Sequence, residues 1–361
     1  MPRPAHAEPI ALSPSAAGVA VPAGLPNDLR QGPALTPISL VRGMVRAYQR
    51  RGLDPSAALA AAQITPQDLA QPMGTITAAQ MEAVSYAAMR ELDDEGLGCF
   101  ARALPWGSYG LLARASLSAP TLGVALKRWC RHHGLLTPDP ALALETDGAL
   151  ARLTLRWEAD PGPMAELGAV SVLRNAHGLA AWFVDSRLPL RGVTLPYPAP
   201  PHLAAYAHLF DAPLTFDAPE ASLTIDAAYL ALPLRRDESA MRALLQRALP
   251  LTVRSYRRDR LLVQRVRQAL RASPDAMRNA EALAAALHTS VRTLHRQLHD
   301  EGATLQSLKD EVRRQLAQDL LRRTARPIKQ IAAAVGFRSE KSFIRAFRDW
   351  TGQSPAAWRE G

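Results

Sequence analysis

Apolar residues recur at intervals of three and four from Ile38 onward. Ile38, Val41, Met44, Val45 and Tyr48 fall on one face and predict a helix. The same period continues through Thr77–Leu92, Leu111–Ser118 and Leu122–Leu136. The period then shortens to two. Segments 141–146 and 150–157, the second with Leu153, Leu155 and Trp157 in alternation, flank Asp147-Gly148 and predict a β-hairpin. A helix over Ala165–Val184 follows, then a Pro-rich strand and loop from Gly192 to His202. Short strands at Leu214–Phe216 and Leu223–Ile225 precede a helix at Glu238–Arg247. Beyond Pro250 the pattern is helical throughout, starting with a basic amphipathic helix at Tyr256–Ala272 and punctuated at Pro274, Gly302, Pro327, Gly336, Gly352 and Pro355. The expected organisation is a Pro/Ala/Gly-rich disordered leader over 1–33, a mixed α/β domain over 34–250, and an all-α domain over 256–361.

Within the all-α region two helix-turn-helix patterns stand in succession. In the first, Leu283, Ala284 and Leu287 form a short apolar helix, His288-Thr289-Ser290 a turn, and Ser290 a candidate N-cap. The helix that follows carries Val291, Leu294 and Leu298 on one face and Arg292, His295, Arg296 and His299 on the other. A core stripe backing a stripe of donors is what a recognition helix in a major groove requires, because Arg pairs with guanine O6 and N7. In the second, Pro327 opens a helix with Ile331 and Val335 facing the core and Ala332–Ala334 permitting close crossing. Gly336 supplies the turn and Ser339 the cap. Phe343, Phe347 and Trp350 form the buried stripe of the next helix, and Lys341, Ile344, Arg345 and Arg348 its outer one. Glu340 can accept from cytosine N4, and Ile344 can meet a thymine methyl. Between the units Leu305, Leu308, Val312, Leu316 and Leu320 predict one long helix over Thr304–Thr324. About 20 helical residues span roughly 30 Å, close to the ~34 Å of one DNA turn.

Charge supports this division. The chain carries a net charge of +10, and Tyr256–Gly361, with 21 Lys/Arg and 11 Asp/Glu, holds all of it; the first 255 residues are balanced at 22 of each sign. A neutral domain followed by a basic one fits a regulator with a separate nucleic-acid-binding module. Two cysteines, Cys99 and Cys130, fit a reducing compartment and read as small buried hydrophobes. No apolar run reaches the ~18 residues that a bilayer requires, and Pro and Ala interrupt residues 2–26, so neither a membrane partner nor a signal peptide is expected and the chain reads as cytoplasmic. Three other readings compete with this one. A metal site at Cys130, His132 and His133 requires adjacent histidines, which point ~100° apart on a helix. An enzyme fused to a DNA-binding module lacks paired catalytic carboxylates, a nucleophile elbow or a metal framework. A constitutive DNA binder whose upstream domain only dimerises does not need some 210 neutral folded residues. No cofactor, metal ligand or catalytic residue is assigned.

The stretches SVRTLHRQLHDEG and RPIKQIAAAVGFRSEKSFIRAFRDWTGQSPAAWR resemble the DNA-binding domain of the AraC/XylS family of bacterial transcription regulators. The Gly-Phe turn, the aromatic-Arg helix and the closing Thr-Gly-x-Ser-Pro carry the resemblance. It implies base-facing positions at Arg292, His295, Arg296, Glu340, Lys341 and Arg345. Ile344 joins them on the same outer stripe, with Ser290, Thr293, Ser339 and Ser342 as DNA-backbone contacts or helix caps. His288 departs from the Gly common in the first turn, at a position where the backbone takes positive φ. ALPWGSYGLLARAS and VLRNAHGLAAW resemble the sensing domain of ornithine-utilisation-type regulators in that family. The implied partners are double-stranded DNA and a small-molecule effector, with a possible homodimer, and RNA polymerase if the protein activates.

Overall fold

A computed structural model describes residues 19–246, 259–273, 276–277 and 279–360. The leader before residue 19, Arg247, and the expected boundary at Pro250 lie outside them.

The upstream domain is built on α7 (Ala165–Val184), a 20-residue helix of which 15 residues are buried. One side of α7 packs on α1 (Ile38–Arg50), and the crossing is close. A Cβ added at Gly43 would come within 2.9 Å of the Leu167 Cβ. The other side covers a five-stranded sheet ordered β3-β4-β7-β5-β6, made from Ala141–Asp147, Leu150–Arg156, Leu190–Thr194, Leu214–Thr215 and Ala221–Asp226 taken as β3 to β7 in chain order. All pairings are antiparallel except β5 with β6. Ala151, Leu153 and Leu155 of β4 are buried at every second position, while Arg152 and Arg156 are exposed, so the two-residue period of the sequence becomes a two-faced sheet. The hairpin turn sits one residue later than expected. Asp147 still pairs with Leu150, and Gly148, at φ +56°, takes the left-handed position.

The remaining helices of this domain are α2 (Ser56–Ala61), α3 (Pro66–Ala70), α4 (Ala78–Glu91), α5 (Ser108–Leu117), α6 (Leu122–Leu136), α8 (Tyr206–Leu209) and α9 (Glu238–Gln246). A two-stranded ribbon joins β1 (Ala34–Pro37) to β2 (Thr75–Thr77). Residues 19–33, expected as part of a disordered leader, are mostly exposed but anchored at Pro22 and Leu29, which are buried. The Leu29 N–H donates to Gln63 and its carbonyl accepts from the buried Thr77 hydroxyl.

A buried polar cluster pins the Pro-rich loop to the start of α7. Glu166 Oε1 accepts from the hydroxyls of Ser39 and Tyr206, each at 2.9 Å, and lies 2.6 Å from His202 Nε2. Tyr197 and Tyr206 share a 2.9 Å hydroxyl contact. Burial, and then the neighbouring Tyr197 and Glu166, push the Tyr206 phenol far above its usual range. The cysteines are packing groups: burial raises both thiols to about 12. His133 meets Phe100 edge-on and Trp129 at a tilt, with ring centroids 5.3 and 5.9 Å apart, and burial lowers its ring to about 4.

From residue 259 onward, the described residues are helical with loops between. α10 (Leu261–Ala272) begins five residues later than expected from the pattern; Tyr256 lies outside the described residues and Asp259 and Arg260 precede the helix. Then come α11 (Ala280–Ala286), α12 (Val291–Asp300), α13 (Leu305–Arg323), α14 (Ile328–Ala334), α15 (Glu340–Thr351) and α16 (Pro355–Glu360). They bury two separate cores. Val263, Val266, Leu270, Leu283, Leu294, Leu298, Leu305, Leu308 and Val312 form the first. Ala317, Leu321, Ile331, Ala332, Val335, Phe343 and Phe347 form the second, with Leu316 touching both. The stripe along α13 thus rotates midway. Its first half buries Leu305, Leu308 and Val312 as expected, but its second half buries Ala317 and Leu321, leaving Leu316 and Leu320 at the margin. A straight helix serving two cores that lie on different sides has this pattern.

Candidate nucleic-acid interface

Each helix-turn-helix is fixed by the same few local devices. Asn279 caps α11 by accepting from the Glu281 N–H, and α11 ends in a turn where the Thr289 N–H donates to the Ala284 carbonyl. His288 sits in this turn at φ +54°, the left-handed backbone that the family resemblance implies there. In the second unit the Phe337 N–H donates to the Ala332 carbonyl, and Gly336 holds φ +86°. Ala284, His288 and Thr289 therefore correspond to Ala332, Gly336 and Phe337. The second turn then runs one residue longer, through Arg338, before its cap.

Ser290 accepts from the Thr293 N–H at 3.1 Å, and Ser339 from the Ser342 N–H at 3.2 Å. Each cap hydroxyl also donates to the hydroxyl three residues on, at 2.9 Å to Thr293 and 2.8 Å to Ser342. The four residues expected as DNA-backbone contacts or caps therefore form two matching capping pairs in the structure. Pro327 is the N-cap of α14, one position earlier than a first-turn proline, and only Ala332 of the three alanines is buried; Ala333 and Ala334 face out.

Counted from their caps, the two recognition helices align residue for residue. Leu294 and Leu298 of α12 are buried where α15 buries Phe343 and Phe347. On the opposite faces Arg292, His295, Arg296 and His299 are matched by Lys341, Ile344, Arg345 and Arg348, all of them exposed. The second, sixth and ninth positions of both helices thus carry cationic or donor side chains, and the fifth carries His in one and Ile in the other. Glu340, also exposed, precedes this stripe in the first turn of α15, where a carboxylate complements the helix dipole. The sequence-predicted residues fall on two faces of matching construction, joined by the 19 residues of α13, roughly 28 Å of helix.

The supports of these faces were less visible in the sequence. Phe337, Phe343, Phe347, Trp350 and Trp358 form a chain of ring contacts under α15, with centroids 5.6–5.9 Å apart. The Arg313 guanidinium on α13 lies 5.0 Å from the Phe337 ring, tying the second turn to the spacer. In the first unit Arg267 bridges Glu311 at 2.7 Å and Arg271 bonds Gln315 at 2.5 Å, fastening α10 to α13. Glu301, the C-cap of α12, accepts from the Val263 N–H in the first turn of α10. Burial, with Asp259 nearby, raises its carboxyl to about 7. Basic residues on α10 were legible as an amphipathic face; their acceptors, some 40 residues away, were not.

The upstream residues 52–234 match the model of the arabinose-binding domain of AraC transcription regulators, and residues 283–361 match a helix-turn-helix domain. The ornithine utilization regulator of Pseudomonas aeruginosa is 28% identical over 327 residues, covering 90% of this chain and 96% of that protein. An uncharacterised helix-turn-helix regulator of Mycobacterium bovis is 26% identical over 89% of this chain and 95% of its own length. Among solved structures, the regulator CdpR from Pseudomonas aeruginosa covers 87% of this chain and 98% of its own at 23% identity and a TM-score of 0.32. The DNA-binding domain of AdpA bound to target DNA covers 27% of this chain and 89% of its own at 33% identity and a TM-score of 0.24.

Proposed function

The chain belongs to the family of AraC transcription regulators, and from that premise we propose that it is an effector-responsive regulator whose α12 and α15 read successive major grooves on one face of duplex DNA. The observation that carries the reading is the residue-for-residue match of two exposed stripes at the ends of one continuous spacer helix. In this reading Arg292, His295 and Arg296 face bases in one groove and Glu340, Lys341, Ile344 and Arg345 in the next. Arg296 and Arg345, at equivalent positions, are the guanine readers. Because Ser290, Thr293, Ser339 and Ser342 are bonded to one another as caps, their contribution is to orient the first-turn amides toward phosphate.

The upstream domain, 34–250, binds a small metabolite, and 256–361 forms the DNA-binding domain. The protein acts in the cytoplasm, pairs through its upstream domain, and contacts RNA polymerase where it activates. Arabinose and ornithine, which the matched family and relative are named for, are the first compounds to test. Fluorescence anisotropy of the full chain on a selected site and on scrambled DNA, with and without each compound, tests the reading. Specific binding that a compound shifts at least fivefold supports it. Equal affinity for both DNAs at every salt concentration overturns the DNA-reading part, and a bound compound that leaves affinity and transcription unchanged overturns the effector part.

A further inference from the structure

The DNA-binding domain starts on the upstream domain's own helix end. α7 finishes at Val184, and its C-cap, Asp185, takes a left-handed conformation at φ +51°. That turn aims one carboxylate oxygen and the carbonyl of Asp185 at the start of α10. Arg260, the N-cap of α10, donates through Nη2 to Asp185 Oδ2 at 2.5 Å and through Nε to the Asp185 carbonyl at 2.9 Å. Its own N–H donates to the Ser186 hydroxyl at 3.0 Å. The second carboxylate oxygen is held by Arg236 at 2.8 Å, and Arg236 is anchored on α7 independently, through the Trp182 carbonyl and its ring. Beside this joint the Tyr229 hydroxyl donates to Asp259, whose other oxygen accepts the Leu261 N–H in the first turn of α10.

The same first turn is gripped from the other side. Its Val263 N–H donates to Glu301, and Glu301 is the residue on which the first recognition helix ends. One turn of α10 therefore lies between a carboxylate at the end of α7 and a carboxylate at the end of α12. A short, partly buried guanidinium fork joins it to the first, and a backbone hydrogen bond joins it to the second.

We propose that Asp185 is a positioning residue, an ionic latch through which the upstream domain sets α10 and, through Glu301, the first recognition helix. Among the described residues, the second unit, with its separate core, is not held in this way. The latch gives the effector-responsive reading a physical route, on which it rests: a ligand that moves or stiffens α7 displaces Asp185, and a bistable joint there biases one of the two DNA-reading helices.

The test uses the full chain without ligand or DNA. Hydrogen–deuterium exchange is followed at residues 261–264 and 298–302 in the wild type and in Asp185→Asn, Arg260→Gln and Arg260→Lys. Both segments should exchange roughly three- to tenfold faster in Asp185→Asn and Arg260→Gln, the range for a partly exposed, hydrogen-bonded ion pair. Arg260→Lys, which keeps the charge but loses the fork, should restore part of the protection. The double variant should exchange more slowly than the sum of the two single effects predicts, because both substitutions remove the shared Arg260–Asp185 carboxylate contact. Segments 150–156 and 340–351 should not change, which separates a latch from general unfolding. Unchanged exchange at 298–302 in Arg260→Gln overturns the proposal, as does strict additivity of the two substitutions. Either result leaves the effector reading standing, since no effector is added. A failed ligand screen likewise leaves the exchange result intact.

Discussion

Phe343→Ala should unfold the second helix-turn-helix while the first stays folded. The Phe343 side chain is fully buried and contacts Phe337 at 5.6 Å and Phe347 at 5.7 Å between ring centroids. A buried Phe removes about 200 Å² from water, worth about 5 kcal/mol at 25 cal/mol per Å². Truncation to Ala in cores costs about 3–5 kcal/mol, the lost transfer free energy plus a term for the cavity left where the surroundings collapse only partially. Among the described residues, the second core contains seven fully buried ones. A unit of that size has a stability of a few kcal/mol, so the loss is comparable to the whole. The first core shares with it only α13 and the marginal Leu316. Amide exchange resolved by segment reads the outcome: residues 328–351 should lose protection, and residues 280–300 should keep theirs to within a few fold. On DNA, footprinting should show the half-site under α12 protected and its neighbour open. Parallel loss of protection in both units would refute the argument that the cores are independent.

Three further outcomes follow from the geometry. Arg296→Ala and Arg345→Ala should each weaken specific binding by about 1–3 kcal/mol and relax preference at one base, the two bases lying about one helical turn apart; a base-substitution scan with each variant checks this. His288→Gly should raise the melting temperature, with a gain of up to about 1 kcal/mol, because Gly accepts the left-handed backbone that His adopts under strain and His288 is exposed. Glu301, with its carboxyl raised to about 7 by burial, binds a proton in the folded chain that the unfolded chain releases near its ordinary value. Stability should therefore fall as pH rises from about 4.5 to 7, by about 3 kcal/mol, and Glu301→Gln should flatten that slope in denaturation series across the interval.

Much of this architecture was readable where one period ran long enough to accumulate. α6 spans Leu122–Leu136 and α7 spans Ala165–Val184, the bounds expected from apolar spacing and turn signals. α2, α3 and α8 have four to six residues each, too few turns for a 3.6-residue period to register. The ribbon β1–β2 was missed for the same reason, with strands of four and three residues. The recognition stripes were legible because an exposed face and a buried face alternate on a single helix, so sequence spacing alone sorts Arg292 from Leu294. What α13 buries was only half legible, since the stripe turns where one core gives way to the other. The latch was not legible at all. Asp185 and Arg260 stand 75 residues apart in sequence, and nothing local marks either as the partner of the other. The left-handed cap that aims Asp185 is a tertiary feature, and the same holds for the convergence of Ser39, Tyr206 and His202 on Glu166.

The central claim, that two recognition helices read one DNA face across a rigid spacer, is tested most directly by the spacing of the site. The full chain is titrated on its selected site and on the same site with five base pairs inserted between the halves, a change that rotates the second groove to the opposite face while adding roughly 17 Å. A continuous 19-residue α13 cannot follow that rotation. The account predicts loss of every base contact from one helix, and an affinity at least about 100-fold lower, as two or more mismatches of 1–3 kcal/mol each would produce. Equal affinity for the two DNAs would contradict it.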